Sequence, residues 1–255
     1  MDLNSLREHA RRPRGVRRGA YVLPSLFTMA NMFCGYACIV YAMRGDYATA
    51  APYIGFAVVL DMLDGRIARM TGTATAFGVE FDSMADVISF GVAPAVLTFM
   101  WGLQPLQRLG WAAGFIYLSA AALRLARFNI QTVKAADKRH FVGMPSPAAA
   151  AVPASTVFLY PAGIEDPRLA LAALALMVIP ALLMVSTIRF SSFKTIDTQQ
   201  RRSYKVLALV ALVIAVIQLH PSIVLLALAY LYLLAGLAGA VWGRFRRRPP
   251  AAPSA

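Results

Sequence analysis

Long uncharged apolar runs dominate this chain, and one of them begins directly after an acidic cluster. Val87 to Leu103 carries no charge at all, yet Asp61, Asp64, Asp82 and Asp86 lie just upstream, four of only twelve acidic residues in 255. Backbone polar groups at membrane depth must be satisfied within the segment, so runs of this length fold as helices. A closed barrel would alternate in polarity along each strand, and these runs do not. The expected fold class is therefore all-α: a polytopic membrane protein of about eight transmembrane helices behind an N-terminal juxtamembrane segment.

The spans are expected at about 21–43, 47–69, 81–103, 109–130, 147–164, 168–188, 205–220 and 222–243. Arg7, Arg11, Arg12, Arg14, Arg17 and Arg18 make the first segment basic, suited to anionic headgroups. The organisation read from these runs has four parts. Residues 1–20 form the basic juxtamembrane segment and 21–190 a six-helix core. Residues 191–243 hold a loop and two additional spans, and 244–255 a basic tail.

Net charge of +13 would suit nucleic acid in a soluble protein. Here the basic residues fall between apolar runs, which points to the membrane and not to nucleic acid. With eight spans and both termini inside, 22 of the 25 Lys and Arg lie on the cytoplasmic side, leaving Arg44, Arg108 and Arg168 outside. That asymmetry obeys the positive-inside rule and puts the acidic cluster on the cytoplasmic face. Cys34 and Cys38 are the only cysteines, i,i+4 within an apolar run. They read as core packing, with neither a disulfide framework nor a zinc site.

The acidic stretch, DMLDGRIARMTGTATAFGVEFDSMAD over 61–86, has helical spacing. Asp61 and Asp64 are i,i+3 and Asp82 and Asp86 are i,i+4, so each pair shares a face. Gly72 and Gly78, with Thr71, Thr73 and Thr75, mark a break between two helices. A helix, a turn and a returning helix would set the pairs against each other. Four such carboxylates cannot all stay ionised without cations, and their oxygens suit Mg²⁺, Mn²⁺ or Ca²⁺. Gly65 and Gly78 would admit a ligand close to the backbone, and Arg69, one turn beyond Gly65, could grip a phosphate.

Read together, Asp61-x-x-Asp64-Gly65-x-x-Ala68-Arg69, eight residues, then Gly78-x-x-x-Asp82-x-x-x-Asp86, resembles the full signature of the CDP-alcohol phosphotransferases. Three flanking stretches narrow the resemblance to its integral-membrane phosphatidylserine synthases: SFGVAPA from Ser89, RLARFN from Arg124 and FVGMPSP from Phe141. The resemblance covers about residues 20–190 and departs at Ser25, where Asn is usual.

The resemblance implies transfer of a phosphatidyl group from CDP-diacylglycerol to an alcohol with release of CMP. It implies two divalent ions, Mg²⁺ or Mn²⁺, with Asp61, Asp64 and Asp82 as ligands. Asp86 would be both a ligand of the second ion and the general base. Gly65, Arg69 and Thr75, with Ala68 and Gly78 of the motif, would contact the CDP moiety. It also implies a homodimer among membrane lipids.

Ser25, Thr28 and Asn31 in the first span are polar residues suited to a nucleotide contact, with helix capping by Ser25 or Thr28 as the competing role. For the acceptor L-serine, the carboxylate needs a cation, and Arg124 is the first choice. Ser89, three residues past Asp86, and Arg127 and Asn129 complete that candidate set. Another acceptor, glycerol 3-phosphate or inositol, stays open within the family. From a different class, a divalent-cation transporter could use the same carboxylates without needing Gly65, Ala68, Arg69 and Gly78.

Overall fold

The computed structural model describes residues 17–71, 75–134, 141–186, 188–190 and 218–245. The N-terminal arginines before Arg17, residues 205–217 of the expected seventh span and the basic tail beyond Phe245 lie outside the described residues.

Helix α1 (Arg17–Met43) pairs with α2 (Tyr47–Thr71) in the most extensive helix contact of the fold. The turn between them is tight: Gly45 takes φ +76° and Asp46 Oδ1 accepts the Thr49 N–H at 3.1 Å. Alanines make the close approach possible. Ala42, Ala50 and Ala57 are wholly buried, and small residues let helices pack backbone to backbone.

The next rod runs from Ala76 to Leu106 without a break in direction of travel. It is α3 (Ala76–Asp86), a π-helical segment (Val87–Val92), α4 (Ala93–Thr98), a second π segment (Phe99–Leu103) and a 3₁₀ turn (Gln104–Leu106). Pro94 and Pro105 explain the irregularity, since each lacks the N–H that an α-helix would use. At the first segment the Ala93 N–H reaches back five residues to the Ile88 carbonyl. At the second, the Trp101 carbonyl that an α-helix would offer to residue 105 instead accepts the Ile164 N–H at 2.8 Å. The neighbouring Met100 carbonyl takes the Tyr47 hydroxyl at 2.7 Å.

Four more helices follow: α5 (Arg108–Lys134), α6 (Ser146–Leu159), α7 (Pro167–Val185) and α8 (Pro221–Phe245). Asp166 caps α7 by accepting the Arg168 N–H at 2.8 Å. Strand β1 (Phe141–Val142) pairs antiparallel with β2 (Arg189–Phe190), Phe141 opposite Phe190. This short clasp joins the entrance of α6 to the exit of α7. The core lies between α1, α2, the composite rod, α5, α6 and α7, and its largest wholly buried side chains include Tyr117, Phe90, Ile54 and Leu97.

Five helices among the described residues are long and apolar enough to cross a membrane, as in a polytopic membrane protein. Two further helices fill expected spans without meeting that measure. α2 carries the charges of the acidic motif, and α6 has 14 residues. Several expected boundaries move. The helix that carries the first span begins at Arg17, while its apolar stretch runs from Pro24 to Met43. The third begins at Ala76 and not near Phe81, and the fifth ends at Leu159 and not at 164.

Candidate active site

The acidic motif spans α2 and α3, and the two helices bring its first three carboxylates together. One oxygen each from Asp61, Asp64 and Asp82 lies within 4.8 Å of the others. Asp64 is 4% exposed and Asp61 and Asp82 are half-buried. Asp82 Oδ1 is buried with no hydrogen-bond partner among the described residues. Three converging carboxylates, one with an orphaned buried oxygen, form a hard-oxygen donor set that fits a Mg²⁺- or Mn²⁺-like ion.

Asp86 stands one turn beyond Asp82, outside that three-carboxylate group, and is 9% exposed. It lies within Coulombic range of Asp61, Asp64 and Asp82, and of the Arg124 guanidinium on α5. The site is thus two-part: a carboxylate cluster, and beside it a single carboxylate, Asp86.

α1 supports both parts. Thr28 and Asn31 are i,i+3 on one face, 4% and 0% exposed. The Thr28 hydroxyl faces two acceptors, the Pro24 carbonyl at 3.1 Å and Asp64 Oδ2 at 3.2 Å. The Asn31 amide donates to Asp86 Oδ1 at 3.4 Å. These residues, expected at the nucleotide, touch the motif carboxylates themselves. Ser25 and Thr28 do not cap α1, because the helix begins well before them at Arg17. A threonine and an asparagine three apart on a span otherwise apolar was the signal available in the sequence.

Asn31 is held over Asp86 by an unusually close helix contact one turn lower. A Cβ added at Gly35 would fall 2.7 Å from Ser89 Oγ and 2.8 Å from Ser89 Cα. Ser89 is wholly buried, and its hydroxyl donates to the Asn31 carbonyl at 2.9 Å. Ser89 therefore spends its hydroxyl on joining α1 to the π segment. Sequence reasoning passed over Gly35, whose role depends on what the fold puts opposite it.

Thr75 and Gly78 form the N-terminal cap of α3, Thr75 Oγ1 accepting the Gly78 N–H at 3.0 Å. A Cβ at Gly78 would crowd that same oxygen at 3.1 Å. Gly65 and Ala68 are half-buried on α2, just past Asp64. The Arg69 side chain and residues 72–74 lie outside the described residues.

On α5, Arg124 Nη1 donates to the hydroxyl of Ser146, the first residue of α6 and itself wholly buried. The clasp fixes Ser146. Gly143, at φ +88°, donates its N–H to the Ile188 carbonyl at 2.8 Å, and Met144 donates to the Leu183 carbonyl at 3.0 Å. Asn129 Nδ2 donates to Ser83 Oγ at 2.9 Å, tying α5 to α3. Arg127 is half-buried between Arg124 and Asn129. Sequence reasoning found Arg124 and the FVGMPSP stretch separately but not the bond between them.

Residues 21–188 match the family model described as CDP-alcohol phosphatidyltransferase. The chain belongs to the CDP-alcohol phosphatidyltransferase family. A CDP-diacylglycerol–serine O-phosphatidyltransferase of Helicobacter pylori is 35% identical over 85% of this chain and 90% of its own. One of Bacillus subtilis is 33% identical over 68% of this chain and 91% of its own. An archaetidylserine synthase of Methanothermobacter thermautotrophicus is 35% identical over 66% of this chain and 69% of its own. This phosphatidyltransferase is therefore an enzyme, and membership of the family replaces the transporter reading of its carboxylates.

Proposed function

We propose that this phosphatidyltransferase moves the phosphatidyl group of CDP-diacylglycerol to the hydroxyl of L-serine, giving phosphatidylserine and CMP, at the cytoplasmic face of the membrane. The observation that carries the chemistry is the three-carboxylate cluster with Asp86 standing apart beside it. The serine acceptor is supported by the names of the relatives that span most of the chain.

Asp61, Asp64 and Asp82 would hold a divalent ion, Mg²⁺ or Mn²⁺, with Asp86 contributing to a second. When bound, such ions neutralise a diphosphate and favour in-line displacement at phosphorus. Asp86 accepts the proton of the serine hydroxyl, the general-base role for which a lone carboxylate beside the cluster is suited. The serine oxygen then bonds to the phosphorus bearing diacylglycerol, the bond from that phosphorus to the CMP oxygen breaks, and CMP departs. Asn31 keeps the Asp86 carboxylate aimed. Arg124, near Asp86 and oriented by Ser146, would pair with the serine carboxylate, since a guanidinium recognises carboxylate as a planar fork. Gly65, Ala68 and Arg69 would meet the CDP moiety past Asp64.

The test is CMP release by purified protein given CDP-diacylglycerol, Mg²⁺ or Mn²⁺, and serine, glycerol 3-phosphate or inositol in turn. Release with serine alone, abolished by chelator and restored by added ion, is the expected result. Release with another acceptor would discard serine while keeping the family. The archaeal relative supports a second reading, in which the same acceptor takes an ether-linked lipid from its CDP donor. Replacing the diacyl donor by a CDP-activated ether lipid in the same assay decides between them.

A further inference from the structure

At the end of the composite rod farthest from the carboxylates, the chain turns through Gln104–Leu106 and Gln107 into α5. The rod and α5 are both long and apolar enough to cross a membrane, so this turn lies at a membrane boundary. Between the two helix ends is a cavity of about 620 Å³, lined by Phe99, Gln104, Gln107, Arg108 and Trp111. Its volume is in the range of ligand sites, and the transfer reaction makes no use of it.

The lining is ordered by depth. Gln104, Gln107 and Arg108 sit at the turn. Trp111 is one turn down α5, about 5 Å deeper, and Phe99 is five residues back down the rod. The two rings meet edge to face with centroids 6.2 Å apart, and Trp111 is 73% exposed. Tryptophan just below a charged turn suits the boundary between headgroups and tails.

Gln107 fixes this geometry. At φ +47° it is the one non-glycine residue with a left-handed backbone among the described residues. Its N–H donates to the Gln104 carbonyl at 3.0 Å, and its carbonyl accepts the Trp111 N–H at 3.2 Å. The polar turn and the aromatic wall are therefore held as one unit. Strained residues of this kind concentrate at ligand clamps. Arg108 is exposed and has no ion-pair partner among the described residues, so its guanidinium is open to an anion. A phosphate receives a guanidinium as a fork. Gln104 spends one amide N–H on Met100 Sδ at 3.4 Å and keeps the other.

We infer that this cavity binds one anionic phospholipid from the leaflet opposite the carboxylates. Its phosphate lies on Arg108 and the glutamine amides, and the upper part of its acyl chains lies against Phe99 and Trp111. A free phosphate would leave the aromatic wall uncovered, whereas a lipid satisfies cation and wall together. The bilayer supplies such a molecule at the boundary where the cavity opens.

The experiment follows tryptophan fluorescence of the full chain in detergent micelles. Phosphatidylglycerol brominated in its acyl chains is added, and compared with phosphatidylcholine brominated in the same way. The chain has three tryptophans, and the part of the quenching lost in Trp111→Phe is the signal, read by the same difference in every variant. The expected result is half-quenching of Trp111 at about fivefold less phosphatidylglycerol than phosphatidylcholine, the factor one arginine supplies toward anionic lipid. Arg108→Gln removes that preference. Arg44→Gln and Arg168→Gln keep it, although both lie near the segments that bond Met100 and Trp101 at this end of the rod. Equal quenching by the two lipids in the wild type overturns the inference, and so does a preference that survives Arg108→Gln. Arg108→Ala serves the same comparison if the Gln variant folds poorly. Inorganic phosphate in excess leaves the preference in place; its loss would give the cavity to a free anion and overturn the lipid. A wild-type dimer in sedimentation that Arg108→Gln dissolves would give the cavity to a second copy and overturn it equally.

Discussion

The side-chain amide of Asn31 donates to Asp86 Oδ1 across 3.4 Å, linking residues 55 apart in sequence and both buried. The contact occupies one oxygen of Asp86 and, on the proposed base role, sets which lone pairs remain for a substrate proton. Partners of this kind, one step removed from the chemistry, typically carry a 10–100-fold effect when removed, by analogy with metal sites. Asn31→Ala is expected to lower turnover by about that factor while CDP-diacylglycerol binding, followed by calorimetry, persists. Turnover equal to wild type would show that Asp86 needs no such guide.

Asp86→Asn separates the cluster from the proposed base. Asp61, Asp64 and Asp82 are untouched by it, so donor binding is expected to survive. Transfer is expected to fall by at least about a hundredfold, the lower range for loss of a general base. Full turnover by the variant would remove Asp86 from that role.

Gly35→Ala tests the approach of α1 to the π segment. The added methyl meets Ser89 Cα, which no rotamer change can move. Overpacking of this sort costs about 1–3 kcal/mol, expected as a lower melting temperature in detergent together with reduced turnover. Gly114 on α5 is the contrast, since a Cβ there meets nothing within 4 Å. Gly114→Ala is expected to hold or slightly raise stability, because alanine is the better helix former.

Gly143→Ala strikes the clasp. Its left-handed φ of +88° costs a Cβ-bearing residue about 1–2 kcal/mol, and the methyl would also run into the Met184 carbonyl. Shifting Gly143 shifts Ser146 three residues on, so the serine KM is expected to rise together with the loss of stability. Gly45, equally left-handed at φ +76° but in open space, supplies the control. Gly45→Ala is expected to cost stability and leave the serine KM alone.

Much of this arrangement was legible in the sequence because the signals are local. The i,i+3 and i,i+4 spacing of the carboxylates placed them on facing helices, and apolar runs located each helix of the described core to within a few residues. What escaped notice depends on partner choice across the fold. Nothing adjacent to Gly35 says that Ser89 will lie against it, and nothing near Arg124 names Ser146. Asn129, read as a ligand contact, spends its amide on Ser83 for the same reason. The π segments were hidden for a different cause. The composite rod is apolar on nearly every face, so a change of helical period leaves no mark on its hydrophobic pattern.

Those π segments have a consequence for how the protein tolerates change. A π turn accommodates one more residue than an α turn, which is about 100° of rotation per residue added or lost. The stretch Val87–Val92 therefore sets the phase between Asp82 and Asp86 above it and the alanine-lined packing below. Deleting a single residue there would leave a straight, apolar, well-formed helix whose lower half still fits the core. Its carboxylates, however, would swing away from Asp61 and Asp64. Between carboxylate-bearing head and structural shaft the rod has a clutch, and its setting is one amino acid wide.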